Sequence, residues 1–376
     1  MKMAVPQSAR SYVEISRSRL AANYRAVRDA VAPGSDVMAV VKANAYGHGA
    51  AEVARVVCAE GAKWLAVSSV EEGVALRNAG ITCRILVMAG VMAWERAALR
   101  EFRLTPVVHS LDDLRIFDED TPIDVHLKID TGMNRLGTRA SATGIAEAIG
   151  ALRNVRVEGL LSHFASAADF DSGQSEEQIR AFDNTLADLA ELGFQPALTH
   201  FSSSNAIAYP RRNDRPRSLV RPGHAIYGYV SPARGNAPSA VLSVKPVLSW
   251  HAKIIAVKGV PAGAKVGYGG VFQASAPMRL AILAAGYADG IPHRLSNKGK
   301  VIAGGRLCSI VGPVSMDLTT IDVTLSPQLM PGDEVLLLGQ DGDVKLDAQQ
   351  IARVAGTISY SVLCGISGRV KRFYVD

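Results

Sequence analysis

Lys42 stands at the end of the apolar run Val37-Met38-Ala39-Val40-Val41 and at the head of Lys-Ala-Asn-Ala-Tyr-Gly-His-Gly, residues 42–49. A lysine delivered by a buried strand into a glycine-rich turn is expected to be desolvated. Desolvation disfavours the ammonium, lowers its pKa and frees the amine that imine chemistry requires. Tyr46 follows four residues later, and Gly47 and Gly49 permit a sharp turn ahead of an Ala-rich helix. The ordinary alternative is a lysine snorkelling from a strand end.

Five further groups have the same character: Lys128 and Arg135 around one short apolar run, and His163, the serines 202–204 and Arg221 each at or just after another. Each alone has a plain structural reading, His163 as a satisfied histidine and Arg221 as half of an ion pair. No carboxylate partner for Arg221 is evident in the sequence. Their common placement at run ends is what suggests one site.

The elements that must position them alternate. Candidate strands are Val37–Val41, Trp64–Ser68, Arg84–Met88, Pro106–His109, Val125–Ile129, Val157–Ser162, Leu198–Ser202 and Leu219–Arg221. Helical spacing marks Ala51–Cys58, Val70–Arg77, Trp94–Phe102, Ile145–Leu152 and Glu176–Leu192, and Leu20, Tyr24, Val27 and Val31 repeat likewise ahead of the first strand. Eight strand–helix units predict an α/β fold, a (β/α)8 TIM-type barrel with an extra N-terminal helix, whose chemistry sits at the C-terminal strand ends. A doubly wound sheet would want a GxGxxG turn after its first strand, and none is present. Beyond about Ser239 short strand-like runs separated by Gly/Pro turns predict a mostly antiparallel β domain, interrupted by one helix at Ala348–Ala355. The expected division is residues 1–14 as a strand joining the β domain, 15–239 as the barrel and 240–376 as the β domain.

Composition restricts the partners. The chain has 376 residues, 48% hydrophobic and 20% charged, with a formal net charge of +6. The densest basic patch, Arg211, Arg212, Arg215 and Arg217, lacks interleaved aromatics and a DNA-binding motif, so it reads as a solvated loop rather than a nucleic-acid surface. No run approaches the roughly 20 apolar residues of a membrane span, and residues 1–10 lack a secretory apolar run. Cys58, Cys83, Cys308 and Cys364 have neither CxxC spacing nor nearby histidine pairs. They are expected to be reduced thiols of a cytoplasmic protein, with no metal site.

Residues 41–49 (Val-Lys-Ala-Asn-Ala-Tyr-Gly-His-Gly) resemble the cofactor-lysine motif of the alanine racemases, which depend on pyridoxal 5'-phosphate. Further matches follow in family order: Lys128–Gly137, Ser162–Ala165, Val220–Gly228, Val266–Gly269, Gly286–Gly290, Met316–Asp317, Thr357–Tyr360 and Gly368–Arg372. The resemblance covers nearly the whole chain. It implies an isomerase that interconverts L- and D-alanine, supplying D-alanine for peptidoglycan of the cell wall, and built as a homodimer.

The resemblance also distributes roles. Lys42 carries the cofactor. The loops after strands seven and eight, the usual barrel phosphate site, offer the hydroxyls of Ser203 and Ser204 and the backbone amides of Gly223 and His224, and the resemblance adds Tyr46 and Tyr360 as phenolic donors. Ser203 stands where the family often has asparagine, and His224 where it often has an aliphatic residue. Arg221 matches the arginine facing the pyridine nitrogen. A guanidinium does not surrender a proton to pyridine, so the electron sink is weakened and rapid reprotonation is favoured over transamination or decarboxylation.

Racemisation needs two bases on opposite faces of Cα. Lys42 is one; the resemblance makes Tyr268, in Val-Gly-Tyr-Gly, the other, acting from the partner subunit and stabilised through His163 and Arg221. Gly267 replaces a frequent serine beside it. Arg135 and the backbone of Met316 are implied to meet the substrate carboxylate, and Tyr287 with Tyr360 to narrow the entrance. Lys128 lies two residues from Asp130 on one strand face, which suits an ion pair; the resemblance suggests a CO₂-derived carbamate holding Arg135 instead.

Two other readings share parts of this pattern. A pyridoxal-phosphate decarboxylase for basic amino acids would want an acidic partner for the pyridine nitrogen, where Arg221 stands. A non-enzymatic pyridoxal-phosphate-handling barrel would lack the second domain.

Overall fold

Several of the barrel strands are built from runs of residues that have no exposed face. In a computed structural model describing residues 9–211 and 218–376, Val37, Met38, Ala39 and Val40 are all buried, as is every residue of Trp-Leu-Ala-Val at 64–67 and of Leu-Thr-Pro-Val-Val at 104–108. Continuous burial of this kind belongs to a parallel sheet covered by helices. By packing the chain divides into two units. One comprises Leu20–Ala45 and Ala50–Lys245; the other comprises residues 9–19, Tyr46–Gly49 and Pro246–Asp376.

In the first unit, after strand β1 (Ser11–Ser16) of the other unit, eight strands form a closed barrel. They are β2 (Asp36–Val40), β3 (Trp64–Val67), β4 (Arg84–Val87), β5 (Leu104–Val108), β6 (Ile123–Lys128), β7 (Val155–Leu161), β8 (Leu198–Ser203) and β9 (Ser218–Arg221). Every neighbouring pair is parallel, and β2 closes on β9 with Asp36 opposite Leu219. Register slips at two places in the barrel, between Val125 and His126 against β7, and between His200 and Ser203 against β9.

Helices fill the connections, with capping visible in the sequence. Ser69 Oγ accepts from the amide of Glu72 ahead of Val70–Asn78, and Ser110 with Asp113 forms a reciprocal cap for Leu111–Phe117. That last helix was not anticipated, and the helix expected over Trp94–Phe102 is instead a 3₁₀ turn, Ala93–Glu95, followed by Arg96–Glu101.

In the second unit the central strand is β10 (Leu248–Val260), which pairs antiparallel with β1. Around it lie β11 (Lys265–Val266), β12 (Phe272–Gln273), β13 (Met278–Leu283), β14 (Lys300–Ala303), β15 (Arg306–Ser309), β16 (Thr319–Asp322), β17 (Glu334–Asp341), β18 (Val344–Leu346) and β19 (Lys371–Val375). The main order is β15-β14-β17-β10-β1-β19, and only β1 with β19 runs parallel. The expected helix Ala348–Ala355 forms with an Asp347/Gln350 capping box and Gly356 in the left-handed region at its end. A second helix, Ser359–Cys364, follows it.

Two expectations are corrected here. Cys58 and Cys83, read as reduced thiols, are joined as a disulfide with Cα atoms 6.9 Å apart; they lie 25 residues apart in sequence, and only the packing of consecutive strand–helix units brings them together. Arg211 is not solvated. It is buried, ion-paired to Glu176, and its guanidinium lies 3.8 Å from the centre of the Phe170 ring. Arg212, Arg215 and Arg217 lie outside the described residues.

Candidate active site

Lys42 follows β2 by two residues, and the chain after it does something no local propensity favours. Ala43, Asn44, Ala45 and Tyr46 all have φ between 52° and 55°, a left-handed turn of four residues with side chains. Three contacts hold its first part: the Ala43 amide donates to Glu72 Oε1 at 2.6 Å, the Ala45 amide to the Val41 carbonyl at 2.8 Å, and Asn44 Oδ1 accepts from the Ala50 amide at 2.8 Å. The turn leaves Lys42 half-buried, more accessible than the sequence suggests, and without an ion pair among the described residues.

Within the second unit, Gly47 and Gly49 are required for space as well as φ. A Cβ on Gly47 would stand 2.5 Å from the Leu363 carbonyl oxygen, and one on Gly49 would overlap the Tyr374 hydroxyl. Tyr46 is buried with its ring 5.9 Å from that of Tyr360. Burial, aided by the neighbouring Tyr360, pushes its phenol above the usual range.

Arg221, the last residue of β9, is buried and surrounded by acceptors other than carboxylates. Nη1 donates to His200 Nδ1 at 2.7 Å. Nη2 donates to the carbonyls of Ser162 at 2.6 Å and Phe201 at 3.3 Å, and to His163 Nδ1 at 3.2 Å. Its Nε–H has no partner among the described residues. Burial lowers the guanidinium pKa to about 10, which still leaves it charged near neutrality. His163, after β7, is held down to about 3 by burial and by the charges of Arg221, Lys128, Arg135 and Lys42. It is therefore a neutral imidazole whose Nδ1 accepts and whose Nε2 carries the hydrogen.

Lys128, the last residue of β6, is buried and makes no hydrogen bond or ion pair among the described residues. The expected pairing with Asp130 is absent: Asp130 instead accepts from the amides of Gly132 and Asn134 and pairs with Arg139 at 3.2 Å. The β-strand ends at Lys128, so the two side chains do not share a strand face. Burial first, then the charges of Arg135 and Arg221, lowers the Lys128 pKa to about 8. Arg135 itself is exposed and unpaired among the described residues.

At the ends of β8 and β9, Ser204 Oγ accepts from the amides of Gly223 (3.0 Å) and Ala225 (3.1 Å). The Gly223 amide, expected to face an anion, is therefore already engaged; Ser204 retains its own hydroxyl hydrogen to donate. Ser203 makes no side-chain cap for the short helix Ser204–Ala208. His224 is buried and stacks on Tyr229 with ring centres 5.1 Å apart.

The remaining expected residues lie in the second unit and face outward. Tyr268 is 78% exposed, in a 3₁₀ turn flanked by Gly267 and Gly269 in the left-handed region. Met316 is 54% and Tyr287 44% exposed. Their loops run together, the Tyr287 amide donating to the Ser315 carbonyl and the Ala288 amide to the Met316 carbonyl, both at 3.0 Å. Met316 N–H makes no bond among the described residues.

Four residues escaped the sequence reading. His200, His126 and Glu158 continue inward from Arg221, and His109, after β5, has both ring nitrogens buried without partners. Burial and the charge of Lys128 lower the His109 pKa to about 4. Strand alternation places His200 and His126 inside the barrel, a signal available in the sequence. Glu158 gave no such signal. No group of three or more His, Cys, Asp or Glu suited to a metal occurs among the described residues, and none of their helices is long and apolar enough to cross a membrane.

The arrangement offers one accessible amine, an unspent guanidinium N–H and nearby hydroxyls, a set that suits a ligand with an aldehyde, a basic ring nitrogen and a phosphate. Known proteins match nearly the whole chain. Residues 15–232 match the model of the alanine racemase N-terminal domain, and residues 247–374 that of its C-terminal domain. The chain is 39% identical to the alanine racemase of Syntrophobacter fumaroxidans, over 97% of this chain and 98% of that one, and 38% identical to that of Halothermothrix orenii, over 97% and 96%. Among solved structures it is similar to alanine racemase from Streptomyces lavendulae (TM-score 0.88, 33% identity, 98% and 97% covered). It is also similar to that from Bartonella henselae with covalently bound pyridoxal phosphate (TM-score 0.87, 28% identity, 98% and 100% covered).

Proposed function

The chain belongs to the alanine racemase family, and on that premise we propose that it interconverts L- and D-alanine with pyridoxal 5'-phosphate attached through Lys42. The observation that carries the reading is the environment of Arg221: carbonyls and two imidazoles, no carboxylate, and one N–H left over. A decarboxylase or transaminase of the same cofactor wants an acid at the ring nitrogen; a fixed cation there favours return of the proton over other outcomes.

When bound, the cofactor supplies the electron sink that makes the alanine Cα proton removable. Lys42 serves the proton on one face of Cα, and Tyr268 of the partner subunit serves the other. Arg221 donates to the ring nitrogen; Ser203, Ser204 and the His224 amide hold the phosphate, with Tyr46 and Tyr360 as phenolic donors. Neutral His163 relays between Arg221 and the partner's tyrosine. Arg135 and the Met316 amide orient the substrate carboxylate, Tyr287 limits side-chain size, and Lys128 as a carbamate would hold Arg135. The exposure of Tyr268, Tyr287 and Met316 on the isolated chain supports a homodimer in which they are used in trans. A cytoplasmic role in supplying D-alanine to peptidoglycan completes the proposal.

The test is direct. Purified protein with pyridoxal phosphate should convert L-alanine to D-alanine while releasing no CO₂ from lysine, ornithine or arginine. CO₂ release without D-alanine would replace the racemase by the decarboxylase, and neither product would leave a binding protein.

A further inference from the structure

Arg221 is one end of a longer series of contacts that crosses the barrel interior. Its Nη1 donates to His200 Nδ1 at 2.7 Å. His200 Nε2 and His126 Nδ1 are 2.7 Å apart, and His126 Nε2 is 3.4 Å from Glu158 Oε2. Glu158 is held in turn by both terminal nitrogens of Arg84, each at 2.7 Å, and the Arg84 guanidinium lies 3.9 Å from the centre of the Trp64 ring. Asp124 and Arg156 complete the charged group at that end.

The two ends dictate everything between. A guanidinium can only donate and an ionised carboxylate can only accept. His200 must therefore present a bare Nδ1 to Arg221 and carry its hydrogen on Nε2. That hydrogen can go only to His126 Nδ1, which must also be bare, so His126 carries its hydrogen on Nε2 and gives it to Glu158. Reversal or protonation of either ring would set donor against donor. Burial, together with the facing charges of Arg221 and Arg84, disfavours the imidazolium at His126 in spite of Glu158; burial, Arg221 and His126 do so at His200.

The backbone is shaped for this series. Both register slips in the barrel fall on it, at His126 against β7, where Glu158 is the residue passed over, and at His200 against β9. Slips of this kind re-aim a side chain. Gly159 makes the room: a Cβ there would stand 2.7 Å from His126 Nδ1, and its φ is not in the left-handed region, so glycine is needed for space alone. A barrel interior is ordinarily filled by branched apolar side chains; here that volume is given to two imidazoles.

We infer that Glu158 is a positioning residue for Arg221, acting through His126 and His200, whose hydrogens it orients in a single direction from the mouth of the barrel to its floor. The effect is to keep Nη1 of Arg221 committed inward so that Nε–H stays presented outward. The functional consequence rests on the proposal above that Arg221 meets the cofactor ring.

The test has two arms. In the purified protein, ¹⁵N-histidine NMR should show the rings of His126 and His200, assigned by substituting each in turn, as neutral with hydrogen on Nε2 and not titrating near the usual histidine pKa of about 6.5. Glu158→Gln keeps the shape but can also donate, so the His126 and His200 signals should become mixed tautomers. Gly159→Ala should disturb the same two signals without changing any titrating group. In the loaded enzyme, Glu158→Gln should raise pyruvate formed per racemisation turnover by about tenfold, the scale expected when a reacting group is modestly misplaced. An Nδ1–H ring or an imidazolium at His126 or His200 in the wild-type spectrum overturns the inference, as does a Glu158→Gln variant in which those two rings keep their tautomers. Altered tautomers with an unchanged product ratio also overturn it, provided Arg221→Lys does change that ratio. If Arg221→Lys leaves the ratio unchanged, it is the placement of Arg221 at the ring that fails.

Discussion

Nη2 of Arg221 donates to Nδ1 of His163 at 3.2 Å, which fixes the hydrogen of that imidazole on Nε2 and turns it away from the arginine. Because burial and the charge of Arg221 hold His163 down to about 3, this donor stays neutral near neutral pH. The pair thus hands a hydrogen-bond donor, without a charge, to whatever lies beyond His163.

Replacing Arg221 by Glu puts an acid where the only acceptors had been imidazoles and carbonyls. Racemisation should fall steeply while half-transamination, read as pyruvate, rises. Unchanged racemisation in a folded Arg221→Glu protein would place the arginine elsewhere than at the ring nitrogen.

Tyr268 is largely exposed, so Tyr268→Phe should leave the thermal midpoint and cofactor binding as they were. Loss of a positioned proton carrier should lower the rate by roughly 10²–10⁴-fold. Cα hydrogen exchange with solvent should persist from D-alanine and nearly vanish from L-alanine. Mixed dimers of Lys42→Ala and Tyr268→Phe chains, with subunit exchange verified separately, should recover one working site; none recovered would remove the tyrosine from the partner's site.

At a pKa of about 8 instead of 10.5, the neutral share of Lys128 near pH 7 rises a few-hundred-fold. Only the neutral amine adds CO₂. At fixed dissolved CO₂, a ¹³C carbamate signal should grow as pH approaches 8 and then level off, and it should be missing from Lys128→Met. A signal that survives that substitution belongs to another amine.

In the β domain, Glu334 accepts from His251 at 2.7 Å, from Tyr12 at 2.5 Å and pairs with Lys253 at 3.2 Å. The His251 hydrogen bond chiefly, against burial, holds its pKa down to about 2 from 4.5. A depressed carboxyl stabilises the fold above its unfolded value, and that contribution is lost as pH falls from about 4.5 towards 2. Glu334→Gln should therefore flatten the acid arm of unfolding over this window. An unaltered acid arm would show that the cluster does not couple to folding.

What could be read from the sequence followed how local the physics was. Val37–Val40 is apolar on both faces and could be little other than a buried parallel strand; eight such runs sufficed for the barrel. The placement of Lys42, His163 and Arg221 at or just past strand ends was legible because the parallel strands of a barrel end at one mouth. The helix Leu111–Phe117 was legible in principle, through Ser110 and Asp113, but is too short for apolar periodicity to reveal. The series from Arg221 to Glu158 joins residues 21 to 74 positions apart and depends on register slips that no spacing announces. The engagement of the Gly223 amide by Ser204 was equally hidden, being a choice among several nearby acceptors.

The left-handed winding of residues 43–46 has a consequence for which substitutions it tolerates. Each L-residue in that hand costs about 1–2 kcal/mol, borne here by Ala43, Asn44, Ala45 and Tyr46 together. At the exposed Ala43, glycine should ease the segment, whereas valine or isoleucine should unwind it, an inversion of the ranking for an ordinary alanine-bearing turn. By the same mirror logic, a semisynthetic chain with D-alanine at position 43 should fold more readily there than the natural one. The lysine beside it is thus carried on backbone that its own monomers, by their handedness, are least suited to form.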